Sequence, residues 1–274
     1  MKSDALKLRI IPISQALLHE ETDPTRVERL RRRIVEGRIL RNPPIAAEAA
    51  GGSVILDGAT RTTALRELAA GHLLIQVVEY GAGSANVEAW NHVLPDTTVA
   101  DVVGMLSGLP GVEIESVAVA EAQQRLLNGS IHGYIFHQPG SALALTLGGE
   151  FDDRIRLLRA ITEIYKHHGE IYRLAQADLE HIIAERHEHS SVMVFPQFSP
   201  ADIRRIANSA EKLPAGITRH IIPGRALNVN VPLDVLLDAG DADSKNAWLD
   251  QWLTSRVVDG KVRYYHEPVF VFDE

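Results

Sequence analysis

Residues Val54–Leu65 read Val-Ile-Leu-Asp-Gly-Ala-Thr-Arg-Thr-Thr-Ala-Leu, and no other stretch of this 274-residue chain constrains the fold as tightly. The apolar, partly β-branched run predicts a buried strand ending at Asp57. Gly58 lets the chain turn, and a helix starts at once at Ala59, with Thr60, Arg61, Thr62 and Thr63 in its first turns. A strand that feeds directly into a helix start leaves backbone N–H groups unpaired beside the positive end of the helix dipole, which suits an anion. Arg61 can meet a phosphate bidentately, the threonines add neutral donors, and Asp57 can hold Mg²⁺ or a sugar hydroxyl. The same residues would also make a plain capped helix after a tight turn, with Arg61 in solvent. Spacing alone leaves both readings open.

The flanking pattern places this turn in a small α+β unit. Leu6–Ile13 is rich in β-branched residues and predicts a strand broken at Pro12. Asp23-Pro24 is a cap followed by proline at the first helical position, and Gly37 is expected to close that helix. Ile45–Glu48 and Val54–Leu56 flank Gly51-Gly52 as a hairpin, a helix is expected over Ala59–Ala70, and a strand over Leu73–Glu79. Further on, Glu121–Leu127, Asp152–Ile164, Gln176–Arg186, Pro200–Ala210 and Asp243–Leu253 read as helices. Ser191–Phe195, Ile217–Ile222 and a pair around Val262–Phe272 read as strands, and Trp90-Asn91-His92 reads as the end of a short helix. The expected organisation is α+β throughout, with an N-terminal domain over residues 1–95 and a second α+β domain over 96–274.

Charge follows the same division. The net charge is −8 from 28 basic and 36 acidic residues. Residues 1–100 carry 12 of each, so the whole acidic excess lies in the later part. Seven arginines between Arg26 and Arg41 face only Glu28 and Glu36, while Val27, Leu30 and Ile34 share the opposite helix face. An acidic chain is a poor general polyanion binder, although one local basic site stays possible. The chain has no cysteine, which excludes disulfides, thiolate zinc, iron–sulfur clusters and a cysteine nucleophile. It shows neither a signal-peptide apolar region nor an apolar run of about 18 residues, so the cytoplasm is the expected location and no membrane contact is expected. No GxxxxGK[ST], GxSxG or protein-kinase motif set occurs.

Two further groups could carry chemistry. His19-Glu20-Glu21 precedes the first helix, where acids satisfy the helix dipole; beside an anion site, one carboxylate could instead be a general base or a metal ligand. Gly216-Ile-Thr218-Arg219-His220-Ile-Ile-Pro-Gly-Arg225 packs a hydroxyl, an imidazole and two guanidiniums between rigid turns, which suits a substrate carboxylate or phosphate or, equally, an edge strand with a solvated face. Trp90 and His92 could belong to the core or to a substrate lid. His167-His168 and His187-Glu188-His189 are better explained as residues complementing helix ends.

The order Arg9-Ile-Ile-Pro-Ile-Ser14, a helix, then Val54-Ile-Leu-Asp57-Gly58-x-x-Arg61-x-x-Ala64-Leu65 resembles the ParB/sulfiredoxin superfamily over residues 5–80. That resemblance implies a nucleotide-phosphate site at Gly58, Ala59, Thr60, Arg61 and Thr62. The sulfiredoxin branch needs a cysteine that this chain lacks. The DNA-partition branch adds a helix-turn-helix, and the acidic second part offers no basic recognition helix. The free serine kinases, which convert L-serine to O-phospho-L-serine, resemble this chain also in the His-Glu pair and in Gly216–Arg225. Those kinases often carry two histidines after the Asp-Gly, where this chain has Ala59-Thr60. The resemblance implies ATP or ADP as phosphoryl donor with Mg²⁺, Glu20 as general base, and Asp57 near the metal. It implies Trp90, His92, Thr218, Arg219, His220 and Arg225 around the amino acid. Its rivals are a nucleotide-dependent DNA-binding regulator of the ParB type, with CTP as a candidate nucleotide, and a module that binds a ligand without turnover.

Overall fold

A computed structural model describes residues 6–81, 85–138, 140–166, 171–175 and 191–265. The expected helix Gln176–Arg186, the two histidine clusters and most of the expected C-terminal strand pair lie outside the described residues. Residues 261–265 carry no regular structure.

The first sheet has the order β1 (Lys7–Pro12), β6 (His72–Val77), β4 (Ile45–Ala49), β5 (Gly52–Asp57), β2 (Ala16–Leu18). The hairpin β4–β5 forms as its Gly51-Gly52 turn demands. Helices α1 (Pro24–Gly37) and α2 (Ala59–Glu67) cover this sheet, burying Val27, Ile34, Ala64 and Leu65 against Ile10, Ile55, Leu73 and Ile75. Asp23 caps α1 by accepting from the N–H groups of Thr25 and Arg26 at 2.8 and 3.0 Å. Gly37 is the last helical residue rather than the stop. Arg38 takes the left-handed position at φ 50°, and its guanidinium pairs with Asp234. Likewise α2 ends three residues short of Ala70, because Ala69 turns left-handed at φ 55°.

The second sheet is antiparallel: β11 (Tyr172–Ala175), β7 (Asn86–Leu94), β12 (Ser191–Val194), β9 (Gly133–Gln138), β10 (Ser141–Leu147), β8 (Val112–Ala118), with β13 (Thr218–Ile221) also pairing β7. Helices α3 (Val99–Leu106) and α5 (Phe151–Lys166) pack together, α4 (Val119–Leu127) sits against β8–β10, and α6 (Pro200–Asn208) approaches β2. Trp90-Asn91-His92 is therefore strand, not helix. Three partners claim the backbone of β7, and pairing overrides local propensity.

The sheets do not divide at residue 95. β7 already belongs to the second sheet, and β14 (Val231–Pro232), α7 (Leu233–Leu237) and α8 (Ala242–Val258) return to the first core. Asn246 on α8 closes the free edge of β1 as a strand would: its Oδ1 accepts from Ile10 N–H at 2.8 Å and its Nδ2 donates to Ile10 O at 2.8 Å.

Candidate functional site

The ends of β2 and β5, the start of α2 and the segment 216–226 converge, bringing together residues separated by up to about two hundred positions. At Asp57 the strand β5 stops. Gly58 caps α2 at φ 101° with no side-chain cap, so the first N–H groups of α2 are claimed by no cap side chain. A Cβ on Gly58 would lie 2.9 Å from Pro44 and 3.1 Å from the Arg61 guanidinium, so only glycine fits. Arg61 donates to the carbonyls of Asn42 and Pro43 at 3.1 and 2.8 Å and pairs with Asp57 at 3.4 Å. Its guanidinium is thus fixed beside the helix start. Thr62 is buried and turns its hydroxyl back to Gly58 O at 3.1 Å, leaving Thr60 as the hydroxyl in the first turn.

Arg225 reaches Asp57 from the far end of the chain. Its Nη1 donates to Asp57 Oδ2, and its Nη2 donates to His220 O at 3.3 Å. Gln76 holds the turn that carries it, donating to Gly224 O at 2.7 Å and accepting from Ala226 N–H at 2.8 Å. Nothing in the local sequence singled out Gln76; its partners lie about 150 residues away. Burial alone would raise the Asp57 carboxyl, but the flanking Arg61 and Arg225 hold it below the usual carboxylate range. Both arginines meet Oδ2.

Glu20 is held on the other side. Its Oε1 accepts from the Thr218 N–H at 2.8 Å and from the Thr218 hydroxyl, and its Oε2 accepts from Gly216 N–H at 3.2 Å. Parallel pairing with Leu213 fixes the backbone of Glu20. Gly216 sits at φ 86°, and a Cβ there would fall 2.0 Å from Arg173 Nη2. Next to it, His19 is buried, with Nδ1 2.9 Å from Ile55 O and Nε2 2.9 Å from Thr218 Oγ1. Glu21 points elsewhere and pairs with Arg159 at 3.1 Å.

Strand alternation divides the predicted substrate cluster. Thr218 and His220 turn inward and are buried, His220 meeting Tyr80 Oη at 2.9 Å and the His19 ring at 5.3 Å. Arg219 faces the other way, over the Trp90 ring at 4.7 Å and 3.4 Å from Glu88. His92 is buried and works through the backbone: Nε2 lies 3.2 Å from Gly216 O, and Nδ1 lies 2.7 Å from Tyr165 Oη. Burial pushes His92 down to about 4 and His220 down to about 3, so both rings are neutral at pH 7.

An open cleft of about 630 Å³ also borders Glu20 and Glu21. Its cations are already engaged: Arg66 donates to Ala16 O, and Lys212 donates to the carbonyls of Ile206, Ala207 and Ser209. Among the described residues no three His, Asp or Glu side chains gather to hold a metal, and no helix is long and apolar enough to cross a membrane.

No family model matches the chain. It is 23% identical over 273 residues to the ATP-dependent L-serine kinase SbnI of Staphylococcus aureus, covering 97% of each chain. Its fold matches the structure of C-terminally truncated SbnI from Staphylococcus aureus with TM-score 0.71 at 22% identity, covering 91% of this chain and 97% of the other. A free serine kinase in complex with AMP matches with TM-score 0.70 at 18% identity, covering 84% and 94%. The mixed α+β fold is shared along nearly the whole length of these proteins.

Proposed function

We propose that the chain is a free L-serine kinase that transfers a phosphoryl group from ATP or ADP to the serine hydroxyl, giving O-phospho-L-serine. The observation that carries the reading is the pairing of two devices at one seam. An uncapped helix start is flanked by Arg61 and Arg225, and a carboxylate, Glu20, is held by three donors from the 216–218 segment. The resemblance to serine kinases over almost the full length supports it. The N-terminal unit has the strand and helix order expected of a ParB/sulfiredoxin-like nucleotide-phosphate domain, and we read it as one.

The diphosphate of the nucleotide sits on the N–H groups of Ala59, Thr60 and Arg61, with the Arg61 and Arg225 guanidiniums neutralising its charge. Mg²⁺ would be held by phosphate oxygens with Asp57 Oδ1, and when bound it supplies charge neutralisation. Glu20 accepts the serine hydroxyl proton as that oxygen attacks the terminal phosphorus. Gly216 and Thr218 hold its carboxylate in place, and the outer lone pairs of Oε2 face the substrate. Arg219 and Trp90 form the wall for the charged ends of the amino acid; Thr218, His220 and His92 shape that wall from behind. Phosphoryl transfer asks chiefly for positioning and charge neutralisation, which this set provides.

A DNA-reading role would rest on the arginine face of α1, where Arg31 and Arg32 pair with Glu28 and Arg38 pairs with Asp234. The test is incubation of the full chain with L-serine, Mg²⁺ and ATP or ADP, reading O-phosphoserine. Product with either donor supports the reading, and its absence with both rejects it.

A further inference from the structure

Three contacts in series link Glu20 to the interior: Glu20 Oε1 to Thr218 Oγ1, Thr218 Oγ1 to His19 Nε2 at 2.9 Å, and His19 Nδ1 to Ile55 O at 2.9 Å. Each contact needs one hydrogen between its heavy atoms. A carboxylate and a carbonyl only accept, the threonine hydroxyl supplies one hydrogen, and a neutral imidazole supplies one. Two hydrogens cannot close three contacts. With all three contacts hydrogen-bonded at once, the chain would carry one proton more than the carboxylate and neutral imidazole together.

We propose that Glu20, Thr218 and His19 form a single proton store, with His19 the positioning residue that receives the proton Glu20 collects. In one form the proton is on Glu20, which donates to Thr218 Oγ1, and Thr218 donates to His19 Nε2. In the other it is on His19, which donates to Thr218 Oγ1, and Thr218 donates to Glu20. The forms interconvert by shifting two hydrogens along the same contacts, with little heavy-atom movement. The link to catalysis rests on the serine kinase reading. During transfer the serine O–H and the phosphoanhydride P–O bonds break, the new O–P bond forms, and the nucleotide leaves. The hydroxyl proton enters at Glu20. It replaces the Thr218 hydroxyl hydrogen, which moves to His19 Nε2, so the carboxylate is regenerated and His19 holds the charge.

Other charged and titratable groups face this chain without entering it. Lys212 acts on His19 from its anchorage on the α6 carbonyls, the His220 ring lies 5.3 Å from the His19 ring, and Arg173 acts on Glu20. Burial disfavours charge on His19, and the neighbouring Glu20 carboxylate works against that effect.

The test is NMR of the full chain labelled with [¹⁵N]histidine and [¹³C]glutamate. The His19 ring nitrogens and the Glu20 carboxyl carbon should titrate with one shared midpoint, as strongly coupled sites do. Thr218→Val keeps the backbone N–H on Glu20 but removes the bridging oxygen. It should separate the two midpoints by about one pH unit or more, and Thr218→Ser should reunite them. In kinetics Thr218→Val should lower kcat with little change in the KM for serine, and Thr218→Ser should restore it. A wild-type His19 locked in one tautomer while Glu20 titrates overturns the proposal even if Thr218→Val fails to fold. A shared midpoint without O-phosphoserine formation upholds the proton store and rejects the kinase reading; phosphoserine made with separate midpoints does the reverse.

Discussion

Thr218 and Glu20 lie 198 residues apart, and both the N–H and the hydroxyl of Thr218 converge on one oxygen of the Glu20 carboxylate. A side chain from the loop before α1 is thus set by an edge strand of the other sheet. The proposed serine kinase reaction would take place at this seam, and disturbing either side should be read out at Glu20.

Gly216 provides one such disturbance. Its N–H reaches Glu20 Oε2 only while the residue holds φ 86°, and an added Cβ would enter the Arg173 guanidinium. Alanine in this region costs about 1–2 kcal/mol before Arg173 has moved. Gly216→Ala should reduce kcat for phosphoserine formation at least about tenfold, because misplacing a base by a fraction of an ångström is expensive. An unchanged kcat in steady-state assays would show that this N–H does not position the base.

Asp57 should matter to the metal and to acid stability in different ways. Asp57→Asn should raise the Mg²⁺ concentration giving half-maximal rate by about tenfold, since it removes the one carboxylate at the helix start. The carboxyl is held below its usual range, so its stabilising contribution is full above the unfolded value of about 4 and is lost as pH falls through the folded value. The melting-temperature gap between wild type and Asp57→Asn should therefore narrow between pH 6 and pH 3. A gap independent of pH contradicts the ion pairing.

The buried histidines add to the same acid-side loss. His92 and His220 are depressed to about 4 and about 3, so between pH 6.5 and those values the unfolded chain binds protons that the folded one refuses. Stability is complete above about pH 6.5 and should fall by up to about 1.4 kcal/mol per pH unit for each ring below it. His92→Gln can still donate to Gly216 O and accept from Tyr165, so it should flatten this slope between pH 6 and 4.5. Denaturant unfolding at three pH values checks it, and an identical slope in the variant rejects the assignment.

Asn246 offers a structural control away from the chemistry. It satisfies both backbone groups of Ile10 on the free edge of β1, and Asn246→Ala leaves them unpaired at a cost of about 1–3 kcal/mol. The melting temperature should drop by several degrees while kcat and KM at 25 °C stay at their wild-type values. A kinetic change without a thermal one would contradict the separation of scaffold from site.

The local signals in the sequence were reliable where they were strong. The Asp23-Pro24 start, the Gly51-Gly52 hairpin and the strand-to-helix turn at Asp57-Gly58 all formed, because each rests on φ preferences and caps that neighbours cannot easily override. The pattern of β7 resembles the end of a helix because Asn-Val-Glu-Ala-Trp-Asn-His mixes polar residues into a strand. Asn91 and His92 are nonetheless buried, satisfied by Phe195 N–H and Gly216 O from distant segments. The return of α7 and α8 to the first core and the clamp made by Gln76 were equally invisible, being long-range pairings with no local cost or signature. Among the candidate residues, type and spacing singled out Glu20, Asp57, Thr218 and Arg225, and the structure pairs Thr218 with Glu20 and Arg225 with Asp57. The inward turn of Thr218 and His220 depended on which face of β13 is covered, which pattern alone does not say.

Glu20 is the proposed base of the serine kinase reaction. The most direct measurement compares wild type and Glu20→Gln for O-phospho-L-serine production by ³¹P NMR, with L-serine, Mg²⁺ and ATP or ADP, alongside nucleotide affinity by calorimetry. Wild type should form O-phosphoserine with at least one donor. Glu20→Gln should lose about 10²–10⁴ in rate while its nucleotide affinity stays within about threefold. No phosphoserine from wild type with either donor, or equal rates in the two proteins, would contradict the account.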